Sequence, residues 1–173
     1  LPQGNGAEAA VVEGLEVREA KTISEVVEYL AGRITLSSLP KTPLENFVKT
    51  SHRFDFKDIR GQETAKRALE IAAAGNHNVL LFGPPGTGKT ILAKAIPSIL
   101  EPLDLEKAIE VTKIYSLAGL LGAHTPFIGT PPIRNPHHTS SAVSIIGGGS
   151  YPRPGEITLA HGGVLFLDEF PEF

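Results

Sequence analysis

Cysteine, methionine and tryptophan are all missing from these 173 residues. Without cysteine there is no disulfide and no thiolate metal site, although this says little about redox compartment. Without methionine, even at Leu1, the chain does not begin as a translated chain should, and its stop at Phe173 adds to the expectation of a fragment. Aromatic residues make up only 6%. No apolar run reaches the roughly 18 residues that a membrane helix needs, and the N-terminus lacks the basic and apolar regions of a signal peptide. Neither membrane insertion nor secretion is indicated, and the cytoplasm is the expected location. An excess of positive charge is lacking too, since 16 Lys and Arg stand against 19 Asp and Glu. That argues against a basic nucleic-acid-binding domain but leaves room for a local basic loop. What remains, 41% apolar, is a globular chain with enough for one ordinary core, or a small domain plus part of another.

Residues 7–31 read as short α and β pieces: an apolar stretch through Val11 and Val12, an extended Leu15-Glu16-Val17, then a helix. Ser24 is the expected N-cap of that helix, with Val26, Val27 and Leu30 on one face and Gly32 after it. From Thr35 to Ser51 the chain carries Pro40, Pro43 and several hydroxyl residues without sustained periodicity, which is linker composition. Gln62 to Ala74 predicts a helix with Ala65, Ala68, Leu69, Ala72 and Ala73 as its apolar stripe, closed by Gly75 and Asn76. Asn78 to Phe82 is a short apolar run between turn residues and predicts a strand buried on both faces. Helices are expected from Gly88 to Leu100, distorted at its end by Pro97, and from Asp104 to Ala118. Gly122 to Gly155 has the composition of loops, hairpins and brief elements, and Val164 to Leu167 predicts a second buried strand. No internal repeat is present.

Chemistry concentrates where the first expected strand ends. Gly83-Pro84-Pro85-Gly86-Thr87-Gly88-Lys89-Thr90 matches the G-x-x-x-x-G-K-[ST] phosphate loop between a predicted strand and a predicted helix, the context that the motif requires. Glycines let successive N–H groups point inward at phosphate oxygens, and Ile91 continues the binding segment into the helix. Lys89 is expected to place its charge on the β and γ phosphates, and Thr90 to offer its hydroxyl to Mg²⁺. Charge-assisted bonds of about 1.5–3 kcal/mol each would together support roughly micromolar nucleotide binding.

Asp168 and Glu169 follow the second apolar run. Two acids after a strand, standing alone, read as a strand end leading into a helix cap. Downstream of a phosphate loop they read as the Walker-B pair, Asp168 holding a Mg²⁺-bound water and Glu169 polarising the attacking water. Arg153, between Pro152 and Pro154, is a stiffly presented cation; a hairpin contact to a nucleic acid phosphate and an ordinary polar turn are both open readings. His137 and His138 adjoin a predicted short strand, whose alternation would send them to opposite faces, so a shared metal site is not expected and packing or hydrogen bonding is.

These stretches together resemble the magnesium-chelatase-like branch of AAA+ ATPases, and within it the ComM/YifB group. The resemblance runs through Asp58-Ile59-Arg60-Gly61-Gln62-Glu63, Ala65 to Glu70, the phosphate loop, Asn135-Pro136-His137-His138-Thr139, Gly147 to Gly149, Pro152 to Ile157, and Leu159-Ala160-His161 before the acid pair. It implies an α/β fold: residues 54–173 as the N-terminal half of a three-layer P-loop sandwich, incomplete, after a linker at 35–53. Residues 1–34 are similar to the C-terminal tail of an α+β, S5-like Lon-protease-like domain, without any serine and lysine dyad.

The same resemblance implies ATP and Mg²⁺ as cofactors, a homohexameric ring, and hairpin inserts near its pore, Arg153 among them. In the ComM/YifB group it further implies DNA as partner, through branch migration in natural transformation. The 79 positions between Lys89 and Asp168 fit an insertion in the family's manner, assigned to Gly147–Gly155. With strand order 5-1-4-3-2, the strand expected between the two apolar runs is absent, as are the sensor residue, the arginine finger and the lid. The isolated chain is therefore expected to bind ATP without efficient turnover. The alternatives are the ATPase subunit of a porphyrin magnesium chelatase and a non-catalytic binding fragment.

Overall fold

Residues 1–48, 54–122 and 127–173 are described by the computed structural model; the far end of the expected linker, 49–53, and part of the loop-rich stretch, 123–126, lie outside the described residues. The N-terminal segment is organised by one carboxylate. Glu19 Oε1 accepts from the N–H of Gly4 at 2.8 Å and of Gly6 at 2.7 Å, satisfying amides at the start of helix α1, Gly6–Ala9. Isolated bridges from Pro2 to Ala20 and from Arg18 to Ser38 pair the extended pieces around it.

Helix α2, Ile23–Leu30, is capped by Thr22 rather than Ser24: the Thr22 hydroxyl accepts from Glu25 N at 3.2 Å. Thr22 has the extended backbone of a cap, φ −135° and ψ 156°, whereas Ser24 already sits in the first turn. The expected apolar face of α2 is uncovered, with Val27 52% and Leu30 77% exposed.

Helix α3, Glu63–Gly75, follows the predicted stripe on a narrower front: Leu69 and Ala72 are buried while Ala68 is exposed. Asn76 closes it in the left-handed conformation, φ 52°. Helix α4, Lys89–Ala95, passes into a 3-10 turn, Ile96–Ile99, at Pro97, which has no N–H to continue the α ladder. The two helices pack through Leu69, Leu92 and Ala95 around Phe56. Phe56 N also donates to Ser98 Oγ at 3.0 Å, fastening the approach segment to the end of α4. Helix α5, Leu105–Leu117, is capped by Asp104, whose Oδ1 accepts from Lys107 N at 2.8 Å. Its Ala108 and Val111 join Leu103, Phe127 and Val11 in a second core cluster, with Leu44 and Phe47 of the 3-10 helix Leu44–Phe47 packed against it. The N-terminal segment thus shares a core with α5.

Beyond α5 come β1, Ile133–Arg134, α6, Ala142–Ile146, β2, Gly147–Gly148, β3, Arg153–Pro154, α7, Glu156–Leu159, and β4, Val164–Leu165. β1 and β4 are parallel, with Ile133 opposite Val164 and Arg134 opposite Leu165. β2 and β3 form an antiparallel hairpin. Gly147 is required at its base: φ is +101°, and a Cβ there would lie 2.8 Å from both Arg153 O and Gly155 N.

Both buried-strand expectations need correction. The run Val164 to Leu167 supplies a two-residue strand that is half-buried, since its ladder has one partner. Asn78 to Phe82 pairs with no described residue; Leu80 is 82% and Phe82 99% exposed, and only Leu81 reaches the core. A parallel strand is buried when strands flank both edges and helices cover both faces. No described residue supplies those neighbours here.

Candidate functional site

The phosphate loop is held by its own side chains. Gly88, at φ +87°, turns the chain into α4, a backbone conformation costly to any residue with a Cβ. Lys89 Nζ donates to the carbonyls of Gly83 and Pro84, each at 2.8 Å, and Thr87 Oγ1 donates to Pro84 O at 2.9 Å. Gln62, just before α3, donates from Nε2 to Thr87 O at 3.1 Å, so the helix start steadies the loop from outside. Pro85 and Gly86 form the outer turn, and Ile91 is 44% exposed on the first turn of α4.

Across the site, Thr90 Oγ1 donates to Asp168 Oδ2 at 3.1 Å, joining residues 78 positions apart. Two oxygen donors at this separation form a hard donor set of the kind Mg²⁺ prefers. No group of three or more His, Cys, Asp or Glu able to hold a metal occurs among the described residues. A magnesium ion at Thr90 and Asp168 would thus draw its other ligands from phosphate and water, its usual habit.

Glu169 sits differently. Its backbone is left-handed, φ 56° and ψ 45°, an arrangement that costs a residue with a Cβ about 1–3 kcal/mol and is found most at functional sites. Its side chain is 66% exposed, and Oε2 meets His138 Nδ1 at 3.0 Å. The expectation that His137 and His138 face opposite ways fails: their ring centroids are 4.2 Å apart, because β1 ends at Arg134 and the chain turns at His138 and Thr139.

A further ion pair braces the hairpin. Arg134 on β1 donates from Nε and Nη2 to Glu156 on α7, at 2.5 and 2.8 Å, and the bidentate pair is partly buried. Hydrogen bonding to Arg134 lowers the Glu156 pKa against a smaller opposing effect of burial, and the same bond raises that of Arg134. Burial raises the pKa of neighbouring Tyr115, whose hydroxyl donates to Leu159 O at 3.0 Å. Arg153 is exposed on β3 of the hairpin, two residues after Tyr151, which is 86% exposed. Sequence reasoning singled out Lys89, Thr90, Asp168, Glu169 and Arg153, assigned no role to Gln62, Arg134 and Glu156, and misjudged only the direction in which His138 faces. Gln62, His138 and Glu156 lie in the stretches that carry the family resemblance, but the contact each makes is with a residue far along the chain.

Residues 55–173 match the family described as magnesium chelatase, subunit ChlI. The chain belongs to that family. Among curated relatives it is similar to the competence protein ComM of Haemophilus influenzae, 46% identical over 177 residues, covering all of this chain and 34% of ComM. It is 43% identical over 173 residues to YifB of Escherichia coli, covering all of this chain and 33% of YifB. An uncharacterized protein of Mycobacterium tuberculosis is 44% identical over 179 residues, covering 99% of this chain and 34% of that protein. The chain therefore spans about a third of the length of the curated relatives it matches, and it falls within the ComM/YifB group of magnesium-chelatase-like proteins. Membership implies an AAA+ P-loop fold. No described helix is long and apolar enough to cross a membrane.

Proposed function

We propose that these residues form the ATP-binding part of a hexameric AAA+ motor that acts on DNA. The observation that carries the nucleotide reading is the Thr90–Asp168 contact, which brings the phosphate-loop hydroxyl against the first acid of the pair across 78 positions. In this reading Gly83 to Ile91 wrap the phosphates, and Lys89 leaves its loop carbonyls to bind the β and γ oxygens. Thr90 and Asp168 would hold Mg²⁺, which would supply charge neutralisation on those oxygens. Glu169 takes a proton from the attacking water as that oxygen bonds the γ-phosphorus; the bond to the bridging oxygen breaks, leaving ADP and phosphate. Residues 54–173 act as the nucleotide-binding half of the three-layer sandwich, residues 35–53 as the connector, and residues 1–34 as the tail of a Lon-like domain.

DNA as the partner is supported by kinship with a competence protein and by an exposed hairpin with Arg153 near its tip. Similarity to ComM and YifB along the whole chain, including the residues before the ATPase segment, favours this over a porphyrin chelatase subunit. The test is ATP hydrolysis by the full-length protein with and without branched DNA. Lys89-dependent phosphate release stimulated by the DNA is the expected result. Release stimulated only by a porphyrin-binding partner would instead support the chelatase, and no release at all would leave a binding module.

A further inference from the structure

Gln62 turns its side chain to the phosphate loop and not to its own helix. It is the N-cap of α3, yet it makes no side-chain cap hydrogen bond there. Its amide reaches 25 positions along the chain instead, and because a carbonyl only accepts, the group 3.1 Å from Thr87 O is the Nε2 donor. The base of this arm is firm: Gln62 O accepts from Lys66 N at 2.9 Å, and α3 buries Leu69 and Ala72. The carbonyl it holds belongs to the peptide between Thr87 and Gly88. That peptide is trans, so its C=O and N–H point in opposite directions. With the carbonyl turned toward Gln62, the Gly88 N–H points away from it, and no hydrogen bond among the described residues takes that N–H up. Glycine would let this peptide turn over. Gly88, at φ +87° and ψ 14°, has the conformation of the third residue of a type II turn. The type I alternative differs mainly by a half-rotation of the preceding peptide plane, and glycine accepts both at little steric cost.

We infer that Gln62 is a positioning residue for the phosphate loop: by holding Thr87 O it fixes the Thr87–Gly88 peptide with the Gly88 N–H turned toward the phosphates. This rests on the nucleotide reading above and adds to it a residue, outside the loop itself, that selects the binding form. Without the donor the peptide is free to turn over, and apparent affinity falls with the fraction of molecules that keep the competent form. Ground state and transition state lose the same contact, so the change is carried by KM and not by kcat.

The full-length protein tests this with Gln62→Met, which keeps the length of the side chain without a donor, and Gln62→Glu, whose carboxylate only accepts and would face the Thr87 carbonyl. Both keep a residue with a Cβ at the same left-handed backbone, so that cost is unchanged. Calorimetric titration with Mg-ADP is expected to show affinity lowered about five- to tenfold by each, the competent peptide being then populated about 10–20% of the time. KM for ATP should rise by a similar factor, with kcat within about twofold of wild type. Mg-pyrophosphate, which has no base, should suffer the same loss as Mg-ADP. The assignment is overturned if Mg-ADP affinity stays within about twofold of wild type, or if kcat falls as far as kcat/KM. A loss confined to Mg-ADP that spares pyrophosphate overturns it too, since Gln62 would then act on the nucleobase. Should Gln62→Glu fail to fold, Gln62→Met decides by itself on the same limits. Lys89→Ala separates the two layers. Mg-ADP binding that survives it undiminished overturns the nucleotide reading itself, whereas Lys89-dependent binding indifferent to Gln62 overturns only the placement of Gln62.

Discussion

The protein has two glycine-rich turns, and they use glycine for opposite ends. In the phosphate loop, Gly86 has positive φ, +77°, and nothing within 4 Å of where a Cβ would stand, so the freedom serves to aim backbone N–H groups into open space. At the hairpin, Gly147 has positive φ and also no room, with backbone atoms 2.8 Å from the same point. The loop is anchored inward through Lys89, Thr87 and Thr90; the hairpin is anchored at its base by Arg134 and Glu156 and leaves its tip in solvent. On the proposed reading, the turn that would grip a small anion is tied from within, and the one that would meet a large partner is tied from behind.

Five substitutions, taken in four steps, would break or sharpen that contrast. The largest effect belongs to Lys89→Ala in the full-length protein, which should weaken Mg-ATP binding about 10- to 100-fold by calorimetric titration, one charge-assisted contact being worth about 1.5–3 kcal/mol. A hairpin variant that did the same would erase the distinction. Next, Gly147→Val should lower the urea unfolding free energy by about 1–3 kcal/mol, through both φ and collision, and leave nucleotide affinity unchanged. Gly86→Ala should cost less stability, about 1 kcal/mol, and more affinity.

Third, the base of the hairpin should be acid-sensitive. Arg134 holds the Glu156 carboxyl below its ordinary value. Its stabilisation is thus complete above the usual glutamate range and is lost as pH falls through the lowered folded value. Glu156→Gln should remove about 1 kcal/mol at neutral pH and flatten the decline in stability below about pH 4.5, followed by circular dichroism. A decline as steep as wild type's would mean the pair is not the source. The smallest effect on stability is Arg153→Ala, within about 0.5 kcal/mol. Its signature is a slope of log affinity against log salt reduced by about one for DNA binding. An unchanged slope would leave Arg153 an ordinary polar turn residue.

Features set by neighbours in sequence were legible beforehand. Helices α3, α4 and α5 lie within a residue or so of their expected bounds at the N-termini, and the break at Pro97 follows from a missing N–H. The hairpin around Gly147 to Gly155 was visible in its glycines and prolines, and the turn leading into α4 in its glycine spacing. Misreadings arose where a distant partner decides. The run Asn78 to Phe82 has strand composition, yet composition does not provide the edges it must pair with. The apolar spacing on α2 says that a face exists and not what covers it. His138 was read from a strand alternation that ends at Arg134, so its contact with Glu169 came only from the three-dimensional path of the chain.

The span of the Thr90–Asp168 contact has a kinetic side. Closing a loop of 78 positions costs only about 0.8 kcal/mol more entropy than closing the roughly 30 positions between β1 and β4. It is nonetheless a late event, because both ends must first be in place: α4 on the core and β4 against β1. The two oxygens proposed to hold a divalent ion would then converge only after α4 and β4 are in place. Mg²⁺-dependent nucleotide binding would serve as a clock for the last step of folding, its onset lagging the helical signal in a refolding experiment.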